Sequence, residues 1–91
     1  MEKRLEARVH GLVQGVFFRH FTQIKAGELG LVGTVSNQPD GTVLVVAEGA
    51  RSSLESLLEW LGHGPDLAHV KRVDITWSPA QSNGNSFEVI R

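Results

Sequence analysis

The chain has 91 residues, 41% of them hydrophobic and 21% charged, which sizes it for one globular domain over 1–91 and excludes a disordered or fibrous chain. Nine Lys and Arg against ten Asp and Glu leave a net charge of −1 with no basic run, which argues against a nucleic-acid partner, and the lack of cysteine excludes disulfides, thiolate catalysis and metal–thiolate centres. The opening Met1-Glu-Lys-Arg is not a signal peptide and the longest apolar run, Val43 to Ala47, cannot span a membrane, so a soluble cytoplasmic protein with no membrane partner is the expectation.

From Leu5 to Val13 the residues alternate, with Leu5, Ala7 and Val9 on one face and Glu6, Arg8 and His10 on the other, the pattern of a half-buried strand. Gly11 and Gly15 then bracket a turn. Helical spacing follows from Phe17 to Leu29: Phe17, Phe21 and Ile24 share one line, Phe18 and Leu29 widen it, and Gly30 is a natural stop. Phe17 and Phe18 are expected to be core anchors, and Trp60 and Trp77 packing residues. Val32 to Asn37 and Thr42 to Glu48 read as two strands of a hairpin joined by Gln38-Pro39-Asp40-Gly41, where proline pre-sets one dihedral and glycine accepts positive φ. Leu54, Leu57, Leu58 and Leu61 mark an amphipathic helix that ends at Gly62-His-Gly64-Pro65. Val70 to Trp77 alternates as a fourth strand, Ser78 to Asn85 is a polar loop, and Ser86 to Ile90 adds a short strand at the edge. The order β-α-β-β-α-β with a tail strand matches an α+β, ferredoxin-like sandwich, two helices covering one face of an antiparallel sheet.

That topology gathers distant residues. If the first strand runs up, the first helix runs down and the second strand runs up again. Residues 11–16, the start of the first helix and the end of the second strand therefore share one pole, and Arg19 and Asn37 are candidates to face each other there. Gln14, Gly15 and Val16 offer no Ser, Thr, Asp or Asn to cap the helix. Its first amides seek an acceptor, and Arg19 puts a cation at the positive end of the dipole, disfavoured by about 0.3–1 kcal/mol. A bound anion reconciles both features; water on the amides and a solvated Arg19 is the alternative. Asn37 in turn is either an ordinary residue of the following turn or a carboxamide that holds one water.

These residues carry a resemblance. Gly11-Leu-Val-Gln-Gly15-Val16-Phe17-Phe18-Arg19 resembles the first signature of the acylphosphatases, G-x-V-Q-G-V-x-F-R. Gly33-Thr-Val-Ser-Asn37-Gln-Pro-Asp-Gly41-Thr-Val43, followed by Gly49, resembles the second, G-x-V-x-N-x-x-x-G-x-V-x-x-x-x-x-G. Thr34 stands where family members often carry a bulky aromatic and Ser36 where they carry a basic residue, departures that bear on substrate affinity and packing. The resemblance implies hydrolysis of the carboxyl–phosphate anhydride of a small-molecule acyl phosphate, without metal or other cofactor. Arg19 and Asn37 would be the catalytic pair. The amides of Gln14, Gly15, Val16, Phe17, Phe18 and Arg19 would hold the phosphoryl oxygens, inorganic phosphate or another anion, while Asn37 would orient the attacking water. The chain is expected to act as a monomer. A non-catalytic phosphate- or anion-binding module on the same fold is the alternative, and an RNA-binding domain would want exposed sheet aromatics and a basic face. The four histidines show no H-x-H or H-x-x-x-H spacing, which speaks against a metal site.

Overall fold

In the computed structural model, which describes residues 2–81 and 84–91, the chain order is β1 (Glu2–Leu12), α1 (Phe18–Glu28), β2 (Val32–Asn37), β3 (Val43–Ala50), α2 (Arg51–Leu61), β4 (His69–Pro79) and β5 (Phe87–Ile90). The strands form one sheet in the order β4-β1-β3-β2-β5, all neighbours antiparallel except β2 and β5, which run parallel. The ferredoxin-like α+β architecture is as expected, and the tail strand takes the edge beside β2. Strands β3 and β4 each run two residues past their expected ends, so Ser78 and Pro79 belong to a strand and not to the loop; within that loop Ser82 and Asn83 lie outside the described residues.

Alternation in β1 sends Leu5, Ala7 and Val9 into the core, where they meet Val43, Val45 and Ala47 of β3 and Val35 of β2. Both helices close over these residues, α2 through Leu54, Leu57 and Leu61. The opposite sheet face is charged and paired: Arg4 donates to Glu48 at 3.0 Å, and His10 bonds Asp74 at 2.9 Å. Among the described residues, no helix is long and apolar enough to cross a membrane.

Two expectations need correction. The buried stripe of α1 is Phe18, Thr22 and Ala26, whereas Phe17 is 66% exposed, Phe21 43% and Ile24 44%; Phe17 is therefore not a core anchor. The helix lies against the sheet through its small side chains, and the Thr22 hydroxyl is satisfied within the helix by donating to the Phe18 carbonyl at 2.7 Å. Gly11, in turn, is not a turn residue. It stays in β1 at a shift of register between His10 and Gly11, with φ 130°, where a Cβ would stand 2.0 Å from the His69 carbonyl oxygen.

Candidate active site

The end of β1, the start of α1, the end of β2 and the end of β5 meet at one pole around a recess of about 680 Å³. Its wall includes Gly15, Phe17, Phe18, Arg19, His20, Asn37 and Val89, so Arg19 and Asn37 are brought together as the topology predicts. Helix α1 has no side-chain cap. Its N-cap is Phe17, left-handed at φ 64° and ψ 23°, and Gly15 two residues earlier is also left-handed at φ 77°. Left-handed residues at such spacing wind a loop so that successive N–H groups converge. Among the described residues no protein acceptor takes the amides of residues 14–19.

Each polar side chain at this pole has a structural reason for its place. Val35 of β2 faces the helices and is fully buried; Asn37, two residues on, leans to the same side at the strand's exposed end, toward α1. No hydrogen bond ties the Asn37 carboxamide to another described residue, and Asn37 pairs with Val43 in the ladder, so it belongs to the strand and not to the turn. Arg19 is half-buried, and its Nη1 donates to the Ile90 carbonyl at 3.1 Å, which pins the guanidinium against β5. The neighbouring Gln23 ties the same strand to α1, donating to the Phe87 carbonyl at 3.0 Å.

Gln14 does something its backbone role did not suggest. Its Nε2 donates to the carbonyls of Gln38 at 2.8 Å and Thr42 at 2.9 Å, lashing the 14–17 loop to the β2–β3 turn. That turn is closed by Gln38 N–H donating to the Thr42 carbonyl at 2.9 Å and by Asp40, whose Oδ1 accepts from the Thr42 amide and hydroxyl. These two bonds, the hydroxyl's first, hold the Asp40 carboxyl below its ordinary pKa, and Arg8 at 3.6 Å adds to the effect. Ser36 accepts from the Gln38 side chain at 2.9 Å, while Thr34 sits back along β2 in a different recess; neither departure removes a wall of the site.

Sequence reasoning missed the Gln14 tether and the Ile90 carbonyl. The second was discoverable only by placing the tail strand parallel to β2, where Ile90 pairs with Ser36, next to Asn37. Of the four histidines, His20 alone borders the recess, edge-on to Phe21 at 5.2 Å between ring centroids, and among the described residues no group of three or more His, Cys, Asp or Glu is placed to hold a metal ion.

A sequence profile described as acylphosphatase matches residues 5–89. The chain belongs to the acylphosphatase family. A curated acylphosphatase from Salinibacter ruber is 47% identical over 90 residues, covering 99% of this chain and 95% of its own. Among solved structures, an acylphosphatase from Bacillus subtilis superposes with a TM-score of 0.94 at 32% identity, covering 98% of this chain and 99% of its own. One from Coxiella burnetii gives 0.91 at 40% identity over 98% and 93% of the two chains. This acylphosphatase is accordingly an enzyme whose substrates are acyl phosphates, in preference to a non-catalytic module of the same fold.

Proposed function

We propose that this acylphosphatase, acting as one domain over 1–91, hydrolyses R–CO–O–PO₃²⁻ by direct attack of water on phosphorus, with Arg19 and Asn37 in separate roles. The amides of residues 14–19 and the Arg19 guanidinium hold the non-bridging phosphoryl oxygens, and the Asn37 carboxamide holds the water. The water oxygen forms the new P–O bond as the bridging O–P bond breaks. R–COO⁻ departs, both water protons end on phosphate oxygens, and the products R–COO⁻ and H₂PO₄⁻ carry the same charge as the substrate.

So sparse a site suffices for this reaction. The departing carboxylate belongs to an acid of pKa about 4 and needs no proton on leaving. A loose phosphoryl transition state asks chiefly for positioning and charge stabilisation, which fixed amides and a pinned guanidinium supply. No side chain is required as general base, since a phosphoryl oxygen takes the proton, and no phosphoenzyme forms. The single observation that carries the reading is the meeting of Arg19, Asn37 and an uncapped, left-handed loop on one recess.

The experiment is benzoyl phosphate hydrolysis by the wild type, Arg19→Ala and Asn37→Ala, with inhibition by inorganic phosphate measured for each. Arg19→Ala is expected to weaken phosphate binding and turnover together. Asn37→Ala is expected to lower kcat by roughly a hundredfold or more while phosphate still binds, as for loss of a positioned catalytic group. Equal loss of phosphate binding in both variants contradicts the division of roles. EDTA is expected to leave turnover unchanged; inhibition reversed by added metal overturns the cofactor-free mechanism.

A further inference from the structure

In the proposed mechanism the phosphoryl group and the water have their places, and the acyl half of the substrate has none. Beside the 14–17 loop lies a second recess, of about 330 Å³, walled by Phe17, Phe21, Trp60, Pro65 and Leu67, with Asp66 also in its lining. Three of these side chains are large, apolar and solvent-facing: Phe17 is 66% exposed, Leu67 64% and Phe21 43%. We propose that this recess receives the acyl group, and that it makes the enzyme select flat, apolar acyl groups over small or anionic ones. The inference rests on the acyl phosphate reading and adds the specificity of the same site.

The two recesses share one residue, Phe17, so a group leaving the first is adjacent to the second. Phe17 is there because its backbone is left-handed, a conformation that bulky L residues rarely take. In-line displacement sets the direction. Attacking and leaving oxygens lie on opposite sides of phosphorus, so the leaving group departs away from the residue that holds the water. Asn37 borders the first recess and has no part in the second, which is built from the end of the 14–17 loop, α1, α2 and the loop that follows α2. The chemistry of the wall then names the ligand. Aromatic and aliphatic side chains favour an aromatic or branched acyl group, and Asp66 repels one that carries its own carboxylate. Position 17 is also one that the first signature leaves unspecified, so the shared wall is this chain's own choice beside residues fixed by the reaction.

The test compares kcat/KM for benzoyl, acetyl and succinyl phosphate in the wild type, Leu67→Asp, Phe17→Ala and Asp66→Asn. Leu67 stands clear of the strained loop and is the decisive position. In Leu67→Asp the benzoyl-to-acetyl ratio of kcat/KM is expected to fall roughly tenfold, through KM, the scale of a lost apolar contact in a pocket. Inhibition by inorganic phosphate should stay at the wild-type level in that variant. Phe17→Ala should move the ratio the same way, and Asp66→Asn should raise succinyl phosphate relative to acetyl phosphate. An unchanged ratio in Leu67→Asp, with acyl phosphates still hydrolysed, overturns this inference and leaves the reaction standing. No turnover of any acyl phosphate by the wild type overturns the reaction and the inference with it. A wild-type dimer that Leu67→Asp dissociates, seen by sedimentation, assigns the recess to a second copy of the chain and overturns the acyl site.

Discussion

Phe17 and Phe18 are adjacent, chemically identical and opposite in role. Phe18 is 1% exposed and packs on Trp60 at 5.7 Å between centroids, whereas Phe17 leaves two thirds of its surface in solvent and sits left-handed at the helix cap. Left-handed backbone costs an L residue about 1–2 kcal/mol. The part of the Phe17 ring that is covered returns a similar amount at roughly 25 cal/mol per Å². Phe18→Ala is therefore expected to destabilise the fold by about 3–5 kcal/mol, and Phe17→Ala, which keeps the left-handed cost and loses only the covered part of the ring, by about 1–2 kcal/mol, read from urea midpoints. Similar losses at both positions would restore Phe17 to the core. Hydrophobicity along the sequence could not separate the two, because the size of a side chain says nothing of the handedness of its backbone. The same blindness misplaced the helix face: Thr22 and Ala26 look unimportant beside Phe21 and Ile24, yet small residues are what a close helix–sheet approach admits.

At the scale of elements, the site is a question of how a loop is held to a turn. Gln14 spans them with two donors. Each carbonyl it serves keeps a second partner, Gly41 N–H on Gln38 and Gln38 N–H on Thr42, so Gln14→Ala is expected to cost only about 1–2 kcal/mol. Gln14→Glu should cost more at neutral pH, because it faces a carboxylate against two carbonyl oxygens. Urea melts of both variants decide this, and a harmless Gln14→Glu would show the tether to be idle. The turn itself carries a pH signature. Asp40 titrates below its ordinary range in the folded chain, so its contribution is present above the unfolded pKa of about 4 and is lost as pH falls through the lower folded value. The stability gap between wild type and Asp40→Asn should hold from pH 7 to about pH 5 and close below about pH 4. A gap that persists at pH 2 would mean that shape and not charge matters at this position. The turn, both hairpin strands and the amphipathic second helix were legible in Pro39, Gly41 and the leucine spacing, since those signals are local. The Gln14 tether and the Arg19–Ile90 bond were not, because they join residues 24, 28 and 71 positions apart and depend on where whole strands lie.

At the scale of the molecule, the proposed phosphoryl site lies where four separate elements meet, so an anion bound there would link them and stabilise the fold as a whole. A ligand that binds only the native state adds RT ln(1 + [L]/Kd), about 1.4 kcal/mol at ten times Kd. For a chain of 91 residues that corresponds to a rise in Tm of roughly 5–10 °C. Phosphate also stabilises proteins without binding them, by exclusion from their surfaces, so a rise in the wild type alone decides nothing. The variants separate the two effects. Exclusion acts on every chain alike, whereas a held anion needs the guanidinium that Ile90 pins beside the loop. Asn37→Ala should keep the wild-type shift, since in the proposed mechanism the carboxamide serves the water, and Arg19→Ala should retain only the small part common to any protein in phosphate. The comparison needs no turnover and is immune to a trace of contaminating phosphatase. If Arg19→Ala and the wild type rise together, phosphate is acting through solvent and the loop does not hold it.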